Sequence, residues 1–384
     1  MEIKNLRKAA ERILEAIGKK EKIILYGDAD LDGVASVIIL KETVRNLGGE
    51  IAAVYFSDRE KEGYGISESG LNYLKKFSPS LLIAMDLGIT NFEEVKLARK
   101  LGLEVVIIDH HEVVDKLPQA KIIVDPRQEG EEYPCKDFAA VGLVFKLAEL
   151  LLKEKLTVCM RQNFLELAAL ATIADMMPPV EENKAIIEQG KASLENSWRP
   201  GIRIFFETEL IKGLPDLSQK ISKIISILNV REVKNGLPAS YRLLTEPSLK
   251  EAKGLIEDLF EKNEGRKEMV KEMTEEIEKM ISSQEPIIFS GSPEFEFTLI
   301  PSVASVLCRK YKVPTFIFKK LEKDSLGTVR SPSGINSVSL MKKCSKELLS
   351  FGGHPPASGF SLKNENLEKF KTCLIKELKA LKDL

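Results

Sequence analysis

Three short apolar runs in this 384-residue chain are each followed directly by a segment that contains aspartate. The pairs are residues 23–26 with GDADLDG (27–33), residues 81–85 with DLG (86–88), and residues 105–108 with DHH (109–111). Apolar residues at helical spacing follow two of these pairs, at 34–44 and 91–101. Near-continuous apolar strands that alternate with helices are typical of a parallel sheet covered on both faces. The sequence therefore predicts an α/β fold with a parallel sheet in its N-terminal part.

The acids of these segments are expected to converge. Ligands of parallel α/β sheets bind beyond the carboxyl ends of the strands, where these acids lie. A fourth contributor is Asp175, which follows the small-residue helical run 168–174. Each aspartate alone would be an ordinary helix cap or turn residue. Together, the residues predicted to meet are Asp28, Asp30, Asp32, Asp86, Asp109, His110, His111 and Asp175.

Such a cluster of acids predicts a metal centre. Carboxylates gathered in a partly dry crevice have raised pKa values and cost several kcal/mol per uncompensated ion unless cations neutralise them. All three histidines of the chain lie in two motifs, at 110–111 and at 354, and histidine is the commonest metal ligand. Oxygen ligands with one imidazole and no nearby cysteine favour Mn²⁺ or Mg²⁺ over a structural zinc site.

Five ordered motifs resemble those of the DHH phosphoesterase superfamily. They are GDADLDG (27–33), MDLGIT (85–90), IDHH (108–111), ATIADMMP (171–178) and FGGHPPASG (351–359). The segments between them resemble the RecJ-like single-stranded-DNA exonucleases. These segments are EGYGIS (62–67), YPCKDFAAVGLVFKLAELL (133–151), RPGIR (199–203) and VRSPSG (329–334). The resemblance extends from about residue 20 to about residue 362.

The resemblance implies a role for each site residue. Asp28 would bind one metal ion, Asp30 the other, and Asp86 both, with His110 and Asp175 completing the second ion's ligands. Asp32 would be a ligand or would hold its loop through hydrogen bonds, a role that also suits Asp109. His111 would contact the scissile phosphate or act as general acid toward the leaving 3′-oxygen. The cofactor implied is Mn²⁺ or Mg²⁺, as two ions.

The C-terminal motif predicts a substrate-binding site. Gly352 and Gly353 let backbone amides approach an anion, and His354 can donate to a phosphate oxygen. A purely structural glycine turn is the alternative. The resemblance also places Arg330 and Ser331 at this site. Further substrate-binding candidates on a nucleic-acid path are Arg59, Tyr64 and Arg199.

The landmarks divide the chain into three parts. Residues 1–195 are expected to form the metal-binding catalytic domain, and residues 196–285 a helical connector. Residues 286–384 are expected to form a smaller α/β domain with a mixed sheet. Charged residues with apolar ones at helical spacing predict one long helix over 246–280.

Composition limits the partners. Lys and Arg number 57 against 58 Asp and Glu, so any nucleic acid must bind a local groove rather than a global positive field. The five cysteines are scattered without a CxxC pair, which indicates reduced thiols of a cytoplasmic protein. No apolar run of 18 residues or more predicts a membrane span.

The resemblance therefore implies a two-metal exonuclease that acts on single-stranded nucleic acid, with DNA favoured over RNA, in repair or replication. The products would be 5′-mononucleotides. Two alternatives are left open: a phosphodiesterase for oligonucleotides or cyclic dinucleotides, and a scaffold of the replication complex. Docking on replication or repair proteins is open too. Every motif acid is retained, which argues against a pure scaffold. Buried carboxylates cost free energy, and a scaffold would have no catalytic need to keep them.

Overall fold

The computed structural model describes residues 2–59, 61–113, 116–230, 232–281 and 285–382. They divide into two compact units, residues 1–263 (unit 1) and residues 264–384 (unit 2). Among the described residues, no helix is both long and apolar enough to cross a bilayer.

Unit 1 contains a sheet of five described strands, all parallel. They are β1 (Lys22–Gly27), β2 (Ile51–Phe56), β3 (Ser80–Met85), β4 (Leu103–Ile108) and β5 (Ile122–Val124). Their order across the sheet is β2-β1-β3-β4-β5. This confirms the predicted parallel α/β fold.

Both faces of this sheet are buried, which explains the near-continuous apolar runs. In β3, Leu81 and Ile83 belong to one hydrophobic core, whereas Leu82 and Ala84 belong to a second core on the other face. Every residue of β3 is buried. The alternation follows from the two-residue period of a strand, which sends successive side chains to opposite faces.

Helices of unit 1 cover these faces or extend the first core. They are α1 (Leu6–Gly18), α2 (Leu31–Asn46), α3 (Glu68–Leu74), α4 (Phe92–Lys100), α5 (Ala140–Leu152), α6 (Val158–Ala174), α7 (Glu181–Lys191), α8 (Pro200–Glu207), α9 (Glu209–Lys212), α10 (Leu217–Leu228) and α11 (Ala239–Leu244). A small antiparallel pair joins β6 (Val233–Lys234) to β7 (Leu237–Pro238).

One long helix, α12 (Leu249–Met280), crosses the boundary between the units and corresponds to the helix predicted over 246–280. Its Ile256 belongs to the core of unit 1, and its Ile277 to a core of unit 2. The segment expected to form a separate connector is thus shared between the two units. Its proposed boundaries at 195 and 285 stay predictions.

Unit 2 contains a second sheet, of mixed direction as predicted. Its described strands are β8 (Ile288–Ser292), β9 (Thr315–Lys320), β10 (Asp324–Arg330), β11 (Ser350–His354) and β12 (Ala357–Lys363). The order is β11-β12-β10-β9-β8, with β8 and β9 parallel and the other pairs antiparallel. The accompanying helices are α13 (Ile300–Tyr311), α14 (Ser337–Lys343) and α15 (Leu367–Lys382).

Two of the five cysteines are bonded to each other. Cys344 and Cys373 form a disulfide within unit 2, so the expectation that all five thiols are reduced is wrong at this pair. The two residues are 29 positions apart, and no spacing motif marked them. Cys135 and Cys308 are free and buried, and Cys159 is free and exposed.

Close packing of α6 against α7 depends on Gly190. A Cβ atom at this position would lie 2.2 Å from the Leu165 carbonyl oxygen and 2.4 Å from Ala169 Cβ. We expect Gly190→Ala to lower the free energy of unfolding by about 1–3 kcal/mol, as overpacking does.

At the exposed Gly254, in α12, a Cβ atom would meet no other atom within 4 Å. Gly254→Ala should raise stability by about 0.5–1 kcal/mol.

Urea denaturation of both variants measures these changes. Equal changes in the free energy of unfolding for the two substitutions would contradict the packing argument.

Candidate metal centre

The loop after β1 holds Asp28 and Asp30 in fixed positions. Asp28 is buried, and its Oδ1 accepts a hydrogen bond from Ala29 N at 2.7 Å. Asp30 is the N-cap of α2 and accepts from Asp32 N at 3.1 Å and Gly33 N at 3.2 Å. A Cβ at Gly33 would lie 2.4 Å from the Asp28 carbonyl oxygen, so this turn requires glycine.

Asp86 follows β3 in an uncommon backbone conformation. Its φ is 62°, in the left-handed region that aspartate tolerates better than most residues. Its amide donates to Ile108 O at 3.0 Å, beside the end of β4. The buried carboxylate has its Oδ1 3.1 Å from His110 Nε2. The turn thus directs the aspartate toward the DHH motif.

His110 is fully buried and its protonation state follows from its partners. Nδ1 lies 2.7 Å from the Phe138 carbonyl oxygen, which can only accept, so Nδ1 carries the proton. Burial lowers the pKa of His110 to about 3, and the ring is neutral. Nε2 therefore presents a lone pair. It points toward carboxylates, with Asp86 Oδ1 at 3.1 Å and Asp32 Oδ2 at 3.6 Å.

Asp175 also approaches this imidazole. It is the C-cap of α6, and Met176 after it turns the chain with φ 59°. Asp175 Oδ2 lies 3.6 Å from His110 Nε2. Within the described part of the chain, this buried oxygen has no hydrogen-bond partner.

Asp32 has two kinds of neighbour. Its carboxylate accepts from Ala140 N at 2.7 Å and Val141 N at 2.8 Å, at the N-terminus of α5. Its Oδ2 is also among the oxygens near His110 Nε2. Asp32 thus connects α2, α5 and the DHH motif.

These side chains form two neighbouring clusters. The ligand atoms within each lie within 4.8 Å of one another. The first, called here the carboxylate cluster, contains Asp28, Asp30 and Asp86. The second, called the histidine cluster, contains Asp32, His110 and Asp175.

The electrostatics of both clusters fit divalent cations. Burial, followed by the neighbouring charge of Asp30, raises the pKa of Asp32 to about 7. Burial and nearby carboxylates hold the pKa values of Asp86 and Asp175 well above their usual range. An imidazole lone pair that faces carboxylate oxygens is repelled unless a cation or proton lies between them. Oxygen-rich ligand sets with one imidazole suit Mn²⁺ or Mg²⁺.

Arg59 compensates part of this charge. Its guanidinium contacts both carboxylate oxygens of Asp28, with Nε 2.7 Å from Oδ1, and Nη2 lies 3.0 Å from Asp30 Oδ2. The predicted substrate-binding arginine therefore lies on the acids of the carboxylate cluster. No sequence pattern pointed to this contact, because 31 residues separate Arg59 from Asp28.

Asp109 orients His111. Its Oδ1 accepts from His110 N at 2.8 Å and lies 2.7 Å from His111 Nδ1, while Oδ2 accepts from Ile89 N at 3.0 Å. Burial opposes ionisation of Asp109, but His111 and these hydrogen bonds outweigh it and hold its pKa below the usual range. The Tyr64 hydroxyl lies 3.2 Å from both ring nitrogens of His111 and donates to Asp86 O at 3.2 Å.

Arg199 is not brought to this site. Its side chain is 5% exposed, and its guanidinium donates to Leu244 O at 2.7 Å and to Glu42 Oε1 at 2.9 Å. It also binds Asn163. These contacts tie α2, α6 and α11 together around the start of α8, and they do not suggest a nucleic-acid contact.

The predicted substrate-binding residues of unit 2 lie together at one end of its sheet. Arg330 ends β10, and Ser331 N donates to Pro356 O at 3.0 Å. His354 ends β11, pairs with Ala357 of β12 and is 6% exposed. Arg330 pairs with the same Ala357 from the other side.

The glycines before His354 differ from each other. Gly353 has φ 126°, and a Cβ there would lie 2.7 Å from Ala357 O. The position of a Cβ at Gly352 has no atom within 4 Å. Gly353 is therefore required by the hairpin, whereas Gly352 leaves open space above the backbone.

Sequence reasoning missed Asp125, which follows the short strand β5. It is fully buried, and its Oδ1 accepts from Arg127 N at 2.7 Å. Burial, with the charge of Asp109, raises its pKa to about 8. The signal was present, because residues 122–124 are apolar and end in an acid, as the three recognised strands do.

The metal-free protein should lose stability as the pH rises from 5 to 8. Asp32, Asp86 and Asp175 have folded-state pKa values above the unfolded value of about 4. The folded state therefore holds more protons in this range, and its stabilisation is lost as the carboxyl groups ionise. His110 acts oppositely between its unfolded pKa of about 6.5 and its folded pKa of about 3, but one histidine is outweighed by three acids.

Thermal melts at pH 5, 6, 7 and 8 in EDTA measure this dependence. Added Mn²⁺ should weaken or reverse the decline, because it binds the ionised carboxylates of the folded state. A metal-free Tm that rises from pH 5 to pH 8 would contradict the assigned pKa directions.

Known protein families match both units of the chain. The family model described as the DHH family, N-terminal domain, matches residues 22–172. The DHHA1 domain matches residues 284–380. The first match contains all residues of both clusters except Asp175, and the second contains the glycine hairpin of unit 2.

One curated relative and two solved structures are similar over nearly the whole chain. The single-stranded-DNA-specific exonuclease RecJ of Bacillus subtilis is 35% identical over 97% of this chain and 48% of its own length. A crystal structure of exonuclease RecJ bound to manganese has a TM-score of 0.77 at 26% identity, covering 98% of this chain and 95% of that one. RecJ from Thermus thermophilus in complex with Mn²⁺ has a TM-score of 0.82 at 25% identity. The match covers 98% of this chain and 55% of the Thermus chain.

The chain thus spans about half the length of the Bacillus relative. The resemblance predicted from the five motifs is confirmed by both family matches and by these relatives. By its DHH and DHHA1 domains this chain belongs to the DHH phosphoesterase superfamily, and over nearly its whole length it is similar to RecJ exonucleases.

Proposed function

We propose that this chain is a metal-dependent exonuclease that hydrolyses phosphodiester bonds of single-stranded nucleic acid to 5′-mononucleotides. The observation that carries the proposal is the lone pair of His110 Nε2, which faces carboxylate oxygens at 3.1–3.6 Å. DNA is favoured over RNA because the Bacillus relative is named as specific for single-stranded DNA. A role in DNA repair or replication fits such an activity.

We assign the metal ligands from the two clusters. Asp28, Asp30 and Asp86 would hold one ion, and His110 and Asp175 the other. Asp86 lies between the clusters, since its Oδ1 is 3.1 Å from His110 Nε2. In contrast to the assignment from the resemblance, Asp30 groups with Asp28 here. Bound Mn²⁺ or Mg²⁺ would supply Lewis acidity and an activated water for attack at phosphorus.

Asp32 and Asp109 would act mainly by positioning. Both carboxylate oxygens of Asp32 accept amide hydrogens of α5, which leaves less capacity for a cation. Asp109 binds His111 Nδ1 at 2.7 Å and fixes the orientation of that ring. His111, whose side chain is 18% exposed, would contact the substrate phosphate or donate a proton to the leaving 3′-oxygen.

Unit 2 would contribute phosphate binding. The Arg330 guanidinium is held by Ser305 Oγ at 3.1 Å and by Thr328 Oγ1 at 2.8 Å. These hydrogen bonds fix the orientation of a positively charged group that suits phosphate oxygens. The open backbone at Gly352 leaves room for an anion to approach its amide. Ser331, Gly353 and His354 complete this proposed site.

Digestion of labelled strands tests the proposed function. Single-stranded DNA and RNA, each labelled at the 5′ or the 3′ end, would be incubated with Mn²⁺, and the products resolved. Release of 5′-mononucleotides supports an exonuclease, and the label released first reports the polarity. Comparing kcat/KM for a long strand and a dinucleotide separates this activity from an oligonucleotide phosphodiesterase. Absence of all hydrolysis would favour a scaffold.

Asp86→Asn should abolish hydrolysis while preserving the fold. The substitution keeps a residue type that tolerates φ 62° but removes the charge shared by both clusters. We expect kcat to fall by about 10³-fold or more, as loss of a major electrostatic group does. The exposed surface acid Asp258 provides the control substitution Asp258→Asn. Near-normal activity of Asp86→Asn, with unchanged circular dichroism, would refute the assignment.

Arg59→Ala should tighten Mn²⁺ binding and weaken substrate binding. A metal ion at the carboxylate cluster must displace the guanidinium from Asp28 and Asp30, a charge-assisted contact worth about 1.5–3 kcal/mol. Removing that competitor should lower the Mn²⁺ Kd by about 10- to 100-fold. The displaced arginine would then be available to phosphate, so KM for DNA should rise in the variant.

Isothermal titration calorimetry with Mn²⁺ and steady-state kinetics provide the two measurements. Arg161→Ala, which breaks a more exposed pair with Glu149, is the matched control. Weaker Mn²⁺ binding by Arg59→Ala would show that the arginine supports the metal site instead of competing with it.

A further inference from the structure

We propose that Asn183 is a positioning residue that holds the histidine cluster in its ligand geometry. It acts through two backbone segments and contacts no proposed ligand directly. The inference rests on the metal centre of the proposed function and deepens it. Neither the sequence motifs nor the resemblance pointed to this residue.

Asn183 is a fully buried amide in α7 with two backbone acceptors. Its Nδ2 donates to Asp137 O at 2.5 Å and to Pro178 O at 3.1 Å. Both partners are carbonyl oxygens, so the amide must present its NH₂ group to them. One side chain therefore ties together two segments that are about 40 residues apart in sequence.

The first segment, residues 137–141, carries the groups that orient His110 and Asp32. Phe138 O lies 2.7 Å from His110 Nδ1 and so determines both the tautomer and the ring orientation. The amides of Ala140 and Val141 donate to the Asp32 carboxylate. A shift of this segment would move the partners of both residues at once.

The second segment, residues 175–178, carries the third member of the cluster. Asp175 ends α6, and Pro178, whose carbonyl Asn183 binds, lies three residues later. Asp175 Oδ2 has no hydrogen-bond partner among the described residues. Its position therefore depends on the backbone of this turn, in which Met176 has φ 59° and Met177 N donates to Thr172 O at 3.2 Å.

Asn183 thus sets the distance between an imidazole and a carboxylate that would bind the same ion. Phe138 O, whose segment Asn183 holds, contacts the ligand His110 directly, and loss of such a contact typically changes metal affinity by about 10–100-fold. Asn183→Asp replaces the one Nδ2 that donates both hydrogen bonds with an oxygen that faces the two carbonyl oxygens, and should move the segments apart. Asn183→Ala removes the donors without that repulsion and should have a smaller effect in the same direction.

Mn²⁺ titration of the EDTA-treated protein tests the inference. Wild-type protein, Asn183→Asp, Asn183→Ala and a control would be compared by isothermal titration calorimetry. Melting of each metal-free protein would be recorded in parallel. The control is Asn263→Asp, which removes a comparable buried amide whose Nδ2 donates to Ser226 O at 2.7 Å.

We expect Asn183→Asp to raise the Kd of one Mn²⁺ ion by about 10–100-fold, while the other ion keeps its affinity within about threefold. Asn263→Asp should lower the melting temperature without changing either Kd. Unchanged Mn²⁺ binding by folded Asn183 variants, or an equal change in the control, would overturn the inference and leave the proposed function standing. A wild-type protein that takes up no Mn²⁺ would instead overturn the proposed function.

Hydrogen exchange of the wild-type protein covers the case in which both variants fail to fold. Mn²⁺ should increase amide protection of the 137–141 and 175–178 segments together, because one side chain links them. Protection that rises in only one of these segments would overturn the inference.

Discussion

The hydrogen bond between His110 Nδ1 and the Phe138 carbonyl determines what the acidic edge of the first sheet can bind. It keeps the proton on the far side of the ring and leaves the Nε2 lone pair facing Asp86, Asp32 and Asp175. With neither a cation nor a proton between the lone pair and these oxygens, the arrangement is repulsive, and burial makes the repulsion more costly. The topology places these groups together, because β3 and β4 end beside each other and α6 ends close to them. The same geometry that strains the metal-free site makes a divalent ion favourable.

Sequence reasoning found the elements whose burial is uniform. Strands β1, β3 and β4 are buried almost throughout, so their apolar runs stood out and the acids after them could be placed at one edge. Strand β2 was missed because all but one of its residues are only partly buried, and β5 because it has three residues. Missing β5 hid Asp125. The roles of individual acids came from the resemblance to a family, because hydrophobic periodicity alone does not predict them.

Contacts between distant residues account for what the sequence did not predict. Arg199 was expected on a nucleic-acid path, yet it is buried against Glu42, 157 positions away. Arg59 was expected to bind substrate, and it lies on Asp28. An arginine has the same sequence signature whether its guanidinium meets a phosphate or a carboxylate, because both offer paired oxygens. The pairing of Cys344 with Cys373 and the two carbonyl partners of Asn183 likewise depend on the folded chain.

The two clusters differ in how their charge is compensated, and this difference has a chemical consequence. In the carboxylate cluster, Arg59 supplies a positive charge to Asp28 and Asp30, so a metal ion must compete with a guanidinium. In the histidine cluster, the neutral imidazole supplies none, and the raised pKa of Asp32 indicates that protons take the place of a cation. Metal uptake at the first cluster is therefore coupled to movement of an arginine. At the second it is coupled to proton release from two carboxyl groups with raised pKa values, Asp32 and Asp175, against one, Asp86, at the first, so its affinity should depend more steeply on pH.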